Sequence, residues 1–183
     1  RAGSSPSGLV TLGLEDEGSF FQMICVSVGR GRHRMMMAEH RHLAEQGVEL
    51  VELRLDYIRR AVNLKRLLKD RQCPVVATCR RKNEGGRWEG SEGDRQMLLR
   101  TAIADGADYV DLEMDVAHKI PRYGNTQRII SYHNFDETPK NLEEIHHRIS
   151  KLDPDIIKIA TMANNPIDNI KALRLCRDSE IPT

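Results

Sequence analysis

Asp155-Ile156-Ile157-Lys158-Ile159-Ala160-Thr161 is the stretch that decides the fold of this chain. The run is short and β-branched, which is typical of a strand buried on both faces of a parallel sheet. Lys158 is the one charge in its apolar centre. Because burial disfavours a charged amine, Lys158 is expected to be paired or to have a lowered pKa. A neutral lysine amine forms imines with carbonyl compounds, but a lysine at a strand end also reaches solvent or pairs with a structural carboxylate.

Short apolar runs of this kind alternate with helix-like stretches from residue 23 onward. Such alternation favours a parallel sheet covered by helices. The predicted strands are Met23–Val28, Val48–Leu55, Val75–Cys79, Tyr109–Glu113, Arg128–Tyr132 and Ile156–Ala160. The predicted helices are Arg34–Gln46, Leu64–Arg71, Ser91–Asp105, Asn141–Lys151 and Pro166–Cys176. Gly47 and Gly106 are expected to end two helices in the left-handed conformation, and the link 114–127 is expected to hold one helical turn.

Polar side chains stand near the carboxyl ends of the predicted strands. They are Glu52, Arg54, Arg80, Asp111, Glu113, His133 and Lys158. In a (β/α)₈ barrel the active site lies at this end of the strands. Any one of these residues alone is more typical of a cap or a structural salt bridge. Their recurrence on successive strand ends predicts a site where acid, base, guanidinium and amine groups meet.

Five segments resemble the type I 3-dehydroquinate dehydratase family, in the family's order and spacing. They are VELRLD (51–56), TCRRKNEGG (78–86), DYVDLE (108–113), IISYHNFDETP (129–139) and DIIKIATMA (155–163). The resemblance implies an α/β fold, a TIM barrel of the class I aldolase type. It also implies a lyase of the shikimate pathway that converts 3-dehydroquinate to 3-dehydroshikimate and water through a lysine imine. No metal or dissociable cofactor is implied, and the expected assembly is a cytoplasmic homodimer.

The resemblance also assigns roles to residues of this chain. Lys158 would form the Schiff base, His133 would transfer protons, and Glu84 would orient His133. Substrate oxygens would be held by Ser27, Glu52, Arg54 and Arg80.

Physical chemistry adds expectations to these roles. Histidine titrates near neutrality, so His133 suits proton transfer, and Glu84 should lie within hydrogen-bond reach of it. Planar guanidinium groups can bind a carboxylate bidentately. Apolar neighbours and nearby arginines are expected to lower the pKa of Lys158.

Composition excludes several other classes of protein. The 183 residues carry a formal net charge of +1, which does not favour binding to nucleic acid or an anionic membrane. No apolar run approaches the ~20 residues that span a bilayer. The four cysteines, Cys25, Cys73, Cys79 and Cys176, lack metal-ligand spacing and are interpreted as reduced thiols of a cytosolic protein.

The two ends of the sequence lead to separate expectations. Residues 1–22 are interpreted as a flexible or hairpin lead-in, and residues 23–183 as the barrel domain. Six of eight βα units are accounted for, so the barrel is expected to be incomplete at its C-terminal side, before strand 7. Unpaired backbone is then expected beside Met23–Val28 and Ile156–Ala160, with reduced stability or association through the gap and without normal turnover. Alternatives are another Schiff-base-forming barrel enzyme and an inactive fragment.

Overall fold

A computed structural model describes residues 9–16 and 19–183, with side chains from Ile24 onward. The strands are β1 (Leu9–Asp16), β2 (Ser19–Val28), β3 (Leu50–Arg54), β4 (Val75–Thr78), β5 (Tyr109–Glu113), β6 (Gln127–Asn134) and β7 (Ile156–Thr161). The helices are α1 (His33–Glu45), α2 (Leu64–Leu68), α3 (Glu92–Ala104), α4 (Leu142–Ser150) and α5 (Pro166–Asp178). Short 3₁₀ turns cover Leu55–Tyr57, Lys82–Glu84 and Ala117–Lys119. Of the lead-in interpreted as flexible or hairpin (residues 1–22), residues 1–8, 17 and 18 lie outside the described part.

All six predicted strands are present, and they pair in parallel in sequence order from β2 to β7. The sheet curls into part of a barrel with helices on its outer side, which confirms the predicted incomplete TIM-barrel architecture. The link between β5 and β6 holds a single 3₁₀ turn, as expected. No helix in the described ranges is long and apolar enough to cross a membrane.

The helix ends follow from local sequence. Gly47 and Gly106 have φ values of +84° and +82° and end α1 and α3 in the left-handed conformation, as predicted. Helix α2 stops at Leu68, although helix was predicted through Arg71. The chain instead turns through Asp70, with φ +57°, in the left-handed conformation that aspartate adopts more readily than most residues.

The expected unpaired edge at Met23–Val28 is wrong for the described strands. Strand β1 runs antiparallel to β2, with Leu9 opposite Val26 and Asp16 opposite Ser19. A hairpin partner supplies backbone hydrogen bonds that an edge strand lacks. In the described chain the other edge of the sheet is β7, where the Ile157 N–H donates to Pro182 O over 2.8 Å.

Period-two alternation along the strands separates two apolar layers. The larger layer packs between the sheet and the helices and includes Val51, Leu53, Leu99, Leu112 and Ile130. A smaller cluster on the concave face joins Cys25, Leu50, Val76, Ile129 and Ile156, packed against Tyr109. Two residues further along these strands, the concave face becomes polar: Ser27, Glu52, Thr78, Asp111, Ser131 and Lys158. The apolar cluster is therefore the floor beneath a polar layer.

Candidate active site

Lys158 stands at the centre of the polar layer and faces two carboxylates. Its Nζ lies 3.2 Å from Oδ2 of Asp111 and 3.5 Å from Oε1 of Glu52. The lysine side chain is 18 % exposed, whereas that of Asp111 is fully buried. The amine is thus held by an ion-pair pattern that spans three strands, β3, β5 and β7.

The expected lowering of the pKa of Lys158 is wrong. Burial lowers the pKa, but the charges of Asp111 and Glu52 outweigh burial and the opposing charge of Arg80, so that the pKa is raised. The sequence argument counted the neighbouring isoleucines and arginines, and it left out the two carboxylates that the sheet register places beside the amine. In the unliganded site Lys158 is an ammonium ion.

Each carboxylate beside Lys158 is also fixed by other groups. Asp111 accepts hydrogen bonds from Arg80 Nη2 at 2.6 Å and Ser131 Oγ at 2.6 Å. Burial opposes ionisation, yet Arg80 and Lys158 hold the pKa of Asp111 well below its usual range. Burial likewise raises the pKa of Glu52, but Lys158 and hydroxyl contacts with Ser27 and Thr78 bring it below normal. Both groups are therefore anions at neutral pH.

The two predicted substrate-binding arginines have different surroundings. Arg80 is 3 % exposed, and it donates to Glu113 and Ser131 at 2.9 Å each, besides Asp111. Arg54 keeps 17 % of its side chain exposed, and its Nε and Nη2 donate to Asp56 at 3.0 and 2.8 Å. Arg54 is accordingly the more accessible of the two guanidinium groups.

Asp56 is a site-building residue that the sequence analysis did not single out. Besides Arg54, its carboxylate accepts from the backbone N–H of Arg80 at 3.2 Å and of Arg87 at 2.9 Å. One buried carboxylate thereby ties the end of β3 to the loop after β4. The signal available in the sequence was its place two residues after Arg54 in VELRLD.

His133 and Glu84 lie close together, as predicted. Nδ1 of His133 is 3.4 Å from Oε2 of Glu84, although neither atom has a partner with good hydrogen-bond geometry. Glu84 is also held by Arg81, whose Nη2 donates over 2.6 Å. Burial raises the pKa of Glu84, but contact with His133 and the charges of Arg81 and Arg80 lower it overall. At this distance, a change in the angle between the two groups would allow a charge-assisted hydrogen bond.

The loop that carries Glu84 is shaped to reach His133. It forms a 3₁₀ turn that ends at Gly85, with φ +75°. The ring of Phe135 stacks on His133 with centroids 6.1 Å apart, and a Cβ on Gly85 would lie 2.9 Å from Phe135 Cζ. Glycine at this position therefore satisfies both the left-handed backbone and the close aromatic contact.

The fold and the site define a class of protein: a parallel β/α protein of the TIM-barrel type that carries a partly buried amine and an imidazole towards the carboxyl ends of its strands. The family model of type I 3-dehydroquinase matches residues 24–183, and the chain belongs to that family.

Relatives and solved structures agree with this assignment. A 3-dehydroquinate dehydratase of Methanopyrus kandleri is 39 % identical over 145 residues, which are 76 % of this chain and 66 % of the relative. A bifunctional 3-dehydroquinate dehydratase/shikimate dehydrogenase of Arabidopsis thaliana is 34 % identical over 172 residues, 88 % of this chain and 28 % of that protein. The 3-dehydroquinate dehydratase structure from Aquifex aeolicus aligns with a TM-score of 0.70 at 26 % identity, covering 85 % of this chain and 74 % of that one. The chain thus spans about two thirds of the length of the Methanopyrus kandleri relative and a smaller share of the bifunctional Arabidopsis thaliana relative.

Proposed function

We propose that this chain carries the chemistry of a 3-dehydroquinate dehydratase, a hydro-lyase that removes water from 3-dehydroquinate to give 3-dehydroshikimate in the shikimate pathway. The observation that carries the proposal is Lys158, 3.2 and 3.5 Å from two anionic carboxylates inside a family-matched barrel. The names of the relatives support the substrate.

The first chemical step is formation of an imine between Lys158 and the ketone of the substrate, with loss of water. A protonated imine carries positive charge on the same nitrogen that the ammonium ion does. Asp111 and Glu52, which raise the pKa of Lys158, would therefore also stabilise the protonated imine. The iminium then withdraws electrons from the adjacent carbon and acidifies its C–H bond.

His133 is proposed to move protons in the elimination. Its position on β6, two residues beyond the Ser131 that pairs with Lys158, puts it on the same concave face. The imidazole would take the proton from the carbon beside the iminium to give an enamine, and the imidazolium would protonate the departing hydroxyl. Water would then hydrolyse the product imine, which frees Lys158 and leaves a net loss of one water. Glu84, 3.4 Å from Nδ1, would orient the ring and stabilise its cation.

Substrate binding is proposed to involve Ser27, Glu52, Arg54 and Arg80. Arg54 suits direct contact with an anionic or hydroxylated substrate because part of its guanidinium group reaches solvent. Arg80, whose donors are engaged by Asp111, Glu113 and Ser131, would act mainly by fixing the carboxylate beside Lys158. A homodimeric assembly and a cytoplasmic location remain predictions that rest on the family resemblance.

The proposal is tested by incubating the chain with 3-dehydroquinate and borohydride and measuring the intact mass. Dihydroxyacetone phosphate, a class I aldolase substrate, is the matched comparison. The proposal predicts a reduced adduct with 3-dehydroquinate and none with the phosphorylated ketone. Adduct formation with the phosphorylated ketone alone would instead favour another Schiff-base barrel enzyme.

A further inference from the structure

Arg95 is a fully buried arginine on α3, outside the sheet, that reaches into the site. Its Nη1 donates to Oε2 of Glu113 at 2.7 Å and to Cys79 O at 2.7 Å. On its own helix, Glu92 accepts from Nε and Nη2 at 2.9 and 2.8 Å. The arginine occupies the apolar stripe of α3, four residues before Leu99. A charge in such a position costs free energy unless it is paired, so the position of Arg95 depends on its carboxylate and carbonyl partners.

A continuous series of charged contacts joins Arg95 to the reactive amine. The second oxygen of Glu113 accepts from Arg80 Nη1 at 2.9 Å, and Arg80 Nη2 donates to Oδ2 of Asp111 at 2.6 Å. That same Asp111 oxygen is 3.2 Å from Nζ of Lys158. The intervening side chains are at most 4 % exposed, so water screens these charges little.

The series is balanced in charge. Three carboxylates, Glu52, Asp111 and Glu113, face three cations, Lys158, Arg80 and Arg95. Other charged or titratable groups face this cluster: the Cys25 thiol on β2, Arg54 on β3, Glu84 with its Oε2 3.5 Å from Arg80 Nη1, Arg81 beside Glu84, His133 on β6, and Glu92 beside Arg95. Loss of Arg95 would remove one positive charge from the series and make the surroundings of Lys158 more negative, which favours an ammonium ion over a neutral amine.

We propose that Arg95 is a positioning residue whose charge, transmitted through Glu113 and Arg80, controls how readily Lys158 releases its proton. The charge linkage is a property of the unliganded protein. Its value for catalysis rests on the proposed function, because only the neutral amine attacks a ketone. The positive charge of Arg95 thereby offsets part of the stabilisation that the carboxylates give to the protonated form of Lys158.

The test is a titration of Lys158 that needs no substrate. The chain is labelled with ¹³Cε-lysine, Lys158 is assigned by loss of its signal in Lys158→Met, and the midpoint is read from chemical shift against pH. Burial raises the pKa of Glu113, against the opposing charges of Arg80 and Arg95, so the midpoint of Lys158 is read from the alkaline branch of the titration, where Glu113 is ionised. Arg95→Met should raise the midpoint by about one pH unit, a tenfold change in the equilibrium, and Glu113→Gln should lower it by a similar amount.

Charge compensation distinguishes this role from a merely structural one. The double variant Arg95→Met/Glu113→Gln restores the balance and should return the midpoint close to that of the unaltered chain, as should Arg95→Lys. Glu92→Gln removes a partly exposed partner of Arg95 and should leave the midpoint unchanged. Unchanged midpoints in both single variants, or no return in the double variant, would overturn the proposal.

Two control measurements separate an effect on folding from an effect on function. Circular dichroism before titration checks that each variant is folded. If Arg95→Met alone does not fold, the midpoint of the double variant is compared with that of Glu113→Gln, because these two differ only in the charge of Arg95. Imine trapping with 3-dehydroquinate is then measured on the same samples. Shifted midpoints without any adduct would refute the proposed function but support the charge linkage. An adduct with unshifted midpoints would support the proposed function and refute the charge linkage.

Discussion

Nζ of Lys158 lies 3.2 Å from Oδ2 of Asp111, a carboxylate whose side chain has no exposed surface. This pair makes the site favour positive charge on the lysine nitrogen, whether as an ammonium ion or as a protonated imine. The same pair leaves little neutral amine at pH 7. The carboxylates therefore slow imine formation, because little neutral amine is present, but they stabilise the iminium once it has formed.

Asp111→Asn tests both effects of the carboxylate, on the rate of imine formation and on the stability of the iminium. Loss of the carboxylate should lower the pKa of Lys158, so trapping of substrate at pH 7 should become severalfold faster, while release of the enone product should slow. Because the change leaves Arg80 and Lys158 short of a buried partner, the free energy of unfolding should fall by about 3 kcal/mol. Rates come from mass spectrometry and absorbance, and stability from urea unfolding. Asp108→Asn, one residue before the start of β5, is the control and should leave the pH dependence of trapping as it was.

The pH dependence of trapping follows from the raised pKa of Lys158. Below that pKa the fraction of neutral amine grows about tenfold for each pH unit. The initial rate of adduct formation should therefore keep rising from pH 6.5 to pH 9. A plateau reached near neutrality would mean that the amine has a lowered pKa and that the carboxylates do not govern it.

His133→Ala should separate proton transfer from binding. Removing a positioned acid/base typically costs about 10²-fold or more in the step it serves. Loss of the substrate's C2 proton, followed by deuterium exchange, should slow by that factor, while imine trapping at Lys158 persists. Trapping that disappears together with exchange would place His133 in substrate binding.

Glu84→Gln should act through His133 and nowhere else. The carboxylate lies 3.4 Å from Nδ1, so its neutralisation should slow proton exchange by about tenfold, the usual scale for an orienting partner. In the His133→Ala background the same change should have no further effect, because the group it orients is absent. An equal loss in both backgrounds would contradict the assigned orientation.

Self-association is predicted from the surface of α5. Ile167, Ile170 and Leu173 form an apolar stripe at helical spacing, with Ile167 62 % and Leu173 69 % exposed. Such a stripe beside the edge strand β7 is expected to pair with a second copy of the chain. Light scattering should show species larger than one chain, and Leu173→Lys should reduce their fraction. A monodisperse monomer whose solubility Leu173→Lys leaves unchanged would refute this.

The strands and their order could be predicted because each is a short apolar run bounded by glycine or polar turns. Their parallel pairing follows from the intervening helices. A hairpin was one of the two interpretations of residues 1–22, but weak alternation does not specify that its first strand pairs along β2. Helix α2 was predicted too long because the left-handed turn at Asp70 has no glycine to mark it.

The residues of the site could be predicted from the sequence, but the direction of the pKa shift at Lys158 could not. Lys158, His133 and Glu84 could be selected from sequence, and the structure brings the latter two within 3.4 Å. The sign of the pKa shift at Lys158 depends on which side chains the register places opposite it, which local sequence does not reveal. Arg95 was not singled out from the sequence, because a charged helix residue is usually exposed, whereas the structure places it on the buried face of α3.

Lys158 as the imine-forming residue is the central claim, and peptide mapping of the reduced adduct tests it most directly. The chain and its Lys158→Met variant are treated with 3-dehydroquinate and borohydride, digested, and examined by tandem mass spectrometry. The account predicts one modified lysine, at position 158, and no adduct in the variant. An adduct on another lysine, or one that survives in Lys158→Met, would contradict it.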